Sequence, residues 1–151
     1  MALPSIVRGS YLDVLYGDGE SPEVFTQICG LTTKDFSKQA NTSEHFIADC
    51  ADPEDVADRF LIVTGQQATI SGEGRYNRAQ RSELEALFGV PNNYRFKMSE
   101  PAADNVEDGY YGGSFIMTAL SFAGGDASDG NYATMSVTFE STGAVAWTDA
   151  V

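Results

Sequence analysis

Residues 132–148 read YATMSVTFESTGAVAWT, and the first nine alternate with a period of two. Ala133, Met135, Val137 and Phe139 are apolar, while Tyr132, Thr134, Ser136, Thr138 and Glu140 are mostly polar. That period marks a strand with one face in a core and the other in solvent. The Thr and Ser residues make its open face polar with little charge. Ser141-Thr142-Gly143 then reads as a turn into a short terminal strand, AVAWT, carrying Trp147.

Working outward, QATISGEGRY (67–76) alternates in the same way. Gln67, Thr69, Ser71, Glu73 and Arg75 face one side, and Ala68, Ile70, Gly72 and Gly74 face the other. Glycines inside a strand predict a bulge or another backbone passing closely. FLIVT (60–64) is apolar and β-branched, which predicts a buried strand. Further strands are expected at Tyr11–Tyr16, Glu23–Cys29, Leu31–Gln39, Tyr94–Met98 and Ser114–Phe122. In the third of these, Thr33, Asp35, Ser37 and Gln39 share a face. Polar or turn-rich stretches at Ser99–Gly113 and GGDASDG (124–130) read as loops.

One helix is expected, at about 77–88. Asn77 is placed to cap it, or Ser82 with Glu85 as a capping box, and Gly89 and Pro91 end it. Leu84, Leu87 and Phe88 form its apolar stripe. The predicted fold is mainly β: a sandwich or open barrel of about eight strands with one flanking α-helix. The whole chain, 1–151, reads as a single domain, with residues 1–10 as an N-terminal arm.

The chain has 151 residues and 42% hydrophobic composition, enough for a real core without disulfide or metal staples. No apolar run approaches a membrane span, and MALPSIVRGS lacks a signal peptide's apolar stretch, so no export and no membrane partner are expected. There are 22 acids against 9 bases, a net charge of −13. A surface so acidic is unsuited to gripping phosphate backbones, which requires Lys and Arg. Bases cluster between Arg75 and Lys97, and none follows.

No catalytic set emerges. His45 is the only histidine and stands in the polar stretch NTSEHF, without a nucleophile elbow. Cys29 and Cys50 belong to no CxxC pair and are expected to be free, idle thiols. No enzyme activity, no cofactor and no metal site are expected.

Residues 40–59, ANTSEHFIADCADPEDVADR, contain six acids and no base before Arg59. They read as an extended acidic loop. Asp52-Pro53-Glu54-Asp55 has the form of a short helix start. A long segment of this kind that is not stable by itself suits an inter-subunit contact. Its acids Asp49, Asp52, Glu54, Asp55 and Asp58, with Arg59 and the bases Arg75, Arg78 and Arg81, are the candidate inter-subunit residues.

Three features together resemble a family. ISGEGRY leads from a strand into a helix ending LEALFG; the acidic element DCADPED precedes that unit; and TMSVTFESTGAV lies near the end. Their order resembles that of the major tail proteins, or tail tube proteins, of long non-contractile phage tails and tail-like gene transfer agents. The resemblance implies a structural virion protein, assembled in the host bacterial cytoplasm and resident in the tail. Six subunits would close into a ring whose inner sheets form one β-barrel, and rings would stack into a tube. Its partners would be other copies of itself, a tape-measure protein, tail terminator and distal tail proteins at the tube ends, and double-stranded DNA passing without specific binding. The tube proteins of contractile tails and type VI secretion share this architecture.

A tube for DNA favours a lumen without Lys or Arg. Asp35, Glu73 and Glu140, each beside Ser or Thr on an alternating strand, are the candidate lumen-facing acids. The competing reading is an isolated β-sandwich binding module, for carbohydrate for example, using Tyr110, Tyr111 and Tyr132 as an aromatic platform.

Overall fold

Alternating apolar residues from six strands meet in one core: Val14, Ile70, Tyr94, Phe96, Phe115, Met117, Met135, Val137 and Phe139 are almost fully buried, with Leu31 close behind. Each large apolar side chain so buried stabilises the fold by about 1.5–3 kcal/mol. A computed structural model of the chain describes residues 6, 8–98, 109–124 and 132–149. Its strands are β1 (Leu12–Gly17), β2 (Phe25–Gln27), β3 (Leu31–Ile47), β4 (Asp58–Arg75), β5 (Pro91–Met98), β6 (Gly109–Ala123) and β7 (Thr134–Asp149).

These seven form a single antiparallel sheet in the order β2-β1-β5-β6-β7-β4-β3. The sheet curls until its edge strand β3 packs against β1, the strand next to the other edge. Phe36 of β3 stacks on Phe96 of β5 at 5.5 Å and on Tyr111 of β6 at 4.4 Å. Lys34 of β3 reaches Asp13 of β1 at 3.3 Å. The expected open barrel is therefore one rolled sheet. The nine stretches expected as strands become seven because two predicted pairs are continuous. FLIVT and QATISGEGRY are both β4, and YATMSVTFE joins AVAWT as β7. Instead of the expected turn, residues 142–144 are extra residues opposite Ser114, between the pairs Phe115–Ser141 and Gly113–Val145. Such a bulge adds curvature without ending the strand.

The helix is shorter than 77–88. A 3₁₀ turn spans Arg78–Gln80, and α1 spans Arg81–Leu87. Asn77 does cap the turn, its Oδ1 accepting from the Ala79 N–H at 3.1 Å. Leu84 is fully buried and Leu87 packs beside the core, but Phe88 is about half exposed, because the helix ends before it. Gln80 fixes the unit to the barrel. Its side-chain amide donates to the Gln27 carbonyl at 2.8 Å and accepts from the Cys29 N–H at 2.9 Å, as a neighbouring strand would.

Residues 40–59 are a loop only over residues 48–57. β3 runs on to Ile47 and β4 starts at Asp58, so the acidic segment is the far end of a long β-hairpin. Asp52-Pro53-Glu54-Asp55 forms a hydrogen-bonded turn, with the Asp55 N–H donating to the Asp52 carbonyl at 3.2 Å, and starts no helix. Residues 1–5 and 7 of the expected arm, 99–108 of the expected acidic loop and 125–131 of the glycine-rich turn lie outside the described residues. Gly109–Gly113 belongs to β6 instead of a loop.

Candidate functional site

Strand parity gathers the three lumen candidates on one surface. Antiparallel partners place their side chains on the same side of a sheet. Asp35 pairs with Ser71, which pairs with Thr138; Thr33 pairs with Glu73, which pairs with Ser136; and Thr69 pairs with Glu140. The result is a continuous polar face across β3, β4 and β7, backed by the core residues Ile70, Val137 and Phe139. Ser136 extends it to Ser121 of β6, with the two hydroxyl oxygens 2.6 Å apart. Two depressions lie in this face. One, of about 280 Å³, is lined by Thr33, Asp35, Ser71, Glu73, Ser136 and Thr138. The other, of about 430 Å³, includes Glu73, Arg75, Ser121 and Thr134.

The same parity keeps bases off this face. Lys34, Phe36 and Lys38 alternate with Thr33, Asp35, Ser37 and Gln39, so both lysines of β3 point away from it. Lys34 is spent on Asp13, and Lys38 lies 5.7 Å over the Tyr111 ring. Arg75, at one end of the face, is its one base among the described residues of β3, β4 and β7.

The second surface is the hairpin arm. Thr69 is the first residue of β4 paired with β7, and Ala68 is still in the core, so Asp58–Gln67 and its β3 partner extend past the barrel, by roughly 33 Å at strand rise. FLIVT lies on this extension. It is not buried: Phe60, Leu61, Ile62 and Val63 are each at least half exposed, as are Phe46 and Ile47. Its apolar composition suits cover on both sides, and no described part of its own chain supplies that cover.

The candidate inter-subunit charges are split between two ends. Asp49, Asp52, Glu54 and Asp55 occupy the hairpin tip, and Asp58 and Arg59 begin β4. Arg59 pairs across the hairpin with Glu44 at 3.3 Å, not with the loop acids. Arg75 ends β4, Arg78 lies in the 3₁₀ turn and Arg81 opens α1. About 56 Å of strand separates Arg75, the nearest of these arginines along the chain, from Asp58. All three are exposed and form no ion pair among the described residues. Sequence reasoning found the charges but missed the apolar arm, whose β-branched run reads identically for a core strand.

His45 is exposed and shares a hydrogen bond with Ser43 at 3.1 Å; Cys29 and Cys50 are free and exposed. No group of metal-binding side chains occurs among the described residues. The three tyrosines make no platform. Tyr111 is packed between Phe36 and Trp147, Tyr110 covers the Arg95 guanidinium at 4.3 Å, and Tyr132 stands apart before β7. No described helix is long and apolar enough to cross a membrane.

A family model described as phage tail tube protein matches residues 8–146. No curated protein matches the chain by sequence. Solved structures do match its fold. A chain from the tail of an empty gene transfer agent particle, refined with C6 symmetry, superposes with a TM-score of 0.70 at 20% identity, covering 93% of this chain and 98% of that one. A chain from the virion of a native gene transfer agent gives 0.67 at 20% identity, with the same coverage. One from the tube-terminating cap of the anti-feeding prophage gives 0.67 at 14%, covering 99% and 95%.

Proposed function

Because the chain belongs to the phage tail tube protein family, we propose that its copies close into six-membered rings that stack into a tail tube, with the face bearing Asp35, Glu73 and Glu140 turned to the lumen. The lumen would hold a tape-measure protein and then conduct double-stranded DNA. The observation that carries this reading is the polar face itself. Three acids stand among Ser and Thr, with both β3 lysines turned away. Along such a wall a phosphate backbone meets one base, Arg75 at the end of the face, and otherwise no cation to hold it. The sixfold symmetry of the gene transfer agent tail supports the ring number, and the likeness to a tube-terminating cap supports partners at the tube ends. In this assembly the acidic hairpin tip and the Arg75, Arg78 and Arg81 cluster are inter-subunit contacts. The role is structural, without catalysis.

The test is the state of the purified chain. Electron micrographs of concentrated protein should show tubes with six-membered cross-sections, and sedimentation should show species far above 16.2 kDa. Replacing residues 41–58 with a Gly-Ser linker should leave a folded monomer that builds none, because the β4–β7 pairing and the core begin beyond the cut. Normal tubes from that deletion would remove the hairpin from the interface.

A further inference from the structure

Arg95 stands between two aromatic rings. Its guanidinium carbon lies 3.7 Å from the centre of the Phe25 ring and 4.3 Å from that of Tyr110. Register explains the stack. Arg95 pairs with Leu15 and Gly112, Lys97 pairs with Tyr110, and Phe25 pairs with Gly17, so β2, β1, β5 and β6 bring these side chains to one face. Gly112 leaves the space: a Cβ there would crowd the Tyr110 ring at 3.1 Å and touch the Arg95 Cγ at 3.8 Å.

The rings fix the plane of the guanidinium without satisfying it. Stacking uses its two faces, whereas its N–H donors lie in the plane and point outward from its edge. Among the described residues the Arg95 side chain donates no hydrogen bond and makes no ion pair. Lys97, two positions along the same face, is exposed and likewise without an ion pair among them. The two charges stand about 7 Å apart along β5, the repeat of alternate residues in an extended chain. Tyr94 and Phe96 flank Arg95 and point into the core, where the Tyr94 ring meets that of Phe139 at 4.5 Å. The Arg95 face and the polar face of β3, β4 and β7 therefore look away from the same core in opposite directions.

We propose that Arg95 and Lys97 form a binding site for the carboxylates of an extended acidic protein segment, and that the site opens on the outer wall of the tube. The outward direction rests on the tube reading above; the site itself rests on the barrel alone. A planar guanidinium held by its faces takes a carboxylate through two parallel hydrogen bonds, and a second carboxylate two residues further on reaches Lys97. Gly112 and its partner Ala146 carry little or no side chain, so another backbone can pass beside the two bases. Nucleic acid fits the site poorly. Its affinity grows with the number of phosphates neutralised, and two bases on a chain of net charge −13 neutralise few.

The probe is a fluorescent peptide of alternating Thr and Glu, titrated by anisotropy onto the dispersed chain and onto assembled tubes. Saturable binding to both is expected, weaker at high salt, and at least about tenfold weaker for the same peptide with Gln in place of Glu. Arg95→Lys keeps the charge but loses the planar fork, and should weaken binding at least about tenfold. Lys97→Gln, at an exposed position, should weaken it at least about threefold with the melting curve unchanged. Unaltered binding in either variant would overturn the site. A short DNA duplex bound as tightly as the peptide would overturn the carboxylate assignment. Binding to the dispersed chain but not to tubes would overturn the outer-wall placement and leave the tube reading intact. A chain that never assembles overturns the tube reading and the outward placement together, while the titration on the dispersed chain still decides the site.

Discussion

Gly74 shows how far a single residue can be read and where reading stops. Alternation in QATISGEGRY puts it on the inward face, and a glycine there predicts a close backbone. The backbone is that of Gly30 and Leu31: a Cβ on Gly74 would run into the Gly30 carbonyl oxygen and lie 2.6 Å from the Leu31 Cα. Which segment makes the approach depends on a pairing with Leu31, 43 residues away in sequence, and no local pattern encodes that. Gly74→Ala should cost about 1–3 kcal/mol and lower the melting temperature by several degrees in calorimetry. An unshifted melt would mean that β3 can move aside. Tyr94 gives a pH-dependent case. Burial raises its phenol to about 12, and Asn92 partly opposes the rise. The folded state thus holds the proton more tightly than the unfolded chain. That contribution is intact below about pH 10 and fades as pH rises to about 12. The hydroxyl has no hydrogen-bond partner among the described residues. Tyr94→Phe should therefore be neutral or stabilising by up to about 1 kcal/mol at pH 7, and should flatten the loss of stability between pH 10 and 12. Urea melts at pH 8 and pH 11 measure both; a large loss at pH 8 would contradict the unpaired hydroxyl.

At the scale of elements, the period-two strands were legible because each carries its own evidence for one buried face. Met135, Val137 and Phe139 are buried as their alternation predicts. The hairpin was not legible, for a physical reason. FLIVT has the composition of a strand covered on both faces, and composition cannot say whether the cover belongs to the same chain. The acids of residues 48–57 similarly resembled a helix start, yet the segment only has to turn between two long strands. Asp49 and Asp55 use their carboxylates on the N–H groups of Ala51 and Val56 to do so. The α1 unit was legible from Asn77 and Leu84, but its anchor was not, because Gln80 acts through residues 51 and 53 positions away. Removing that side chain leaves the Cys29 N–H without its partner. Gln80→Ala should destabilise the fold by about 1–3 kcal/mol, and Gln80→Glu should not restore it, since a carboxylate cannot donate to the Gln27 carbonyl. Thermal melts of the two variants decide this; a glutamate variant as stable as the unmodified chain would show that the bond to Cys29 alone matters.

For the whole molecule, charge distribution links sequence to function. The three candidate acids could be picked from the sequence because strand parity alone fixes their face. Their meeting on one surface depended on register, which the structure supplies. In the proposed ring, six copies at −13 each carry a formal charge of −78. Screening at about 0.15 M salt limits their reach to a Debye length of about 8 Å, so the wall repels phosphate at contact distance without barring entry. Reversing Asp35, Glu73 and Glu140 to Lys moves each chain from −13 to −7 and puts cations on the polar face. None of the three belongs to the core, so the variant should fold and its tubes should assemble. DNA passing through them would meet new phosphate contacts along the wall, each releasing counterions and each adding friction. Particles built with the triple variant should therefore release DNA more slowly, or stall, and the delay should shrink as salt rises. Following DNA release from variant and unmodified particles at two salt concentrations tests both parts. Intact tails with unchanged release at low salt would place these acids elsewhere than the channel.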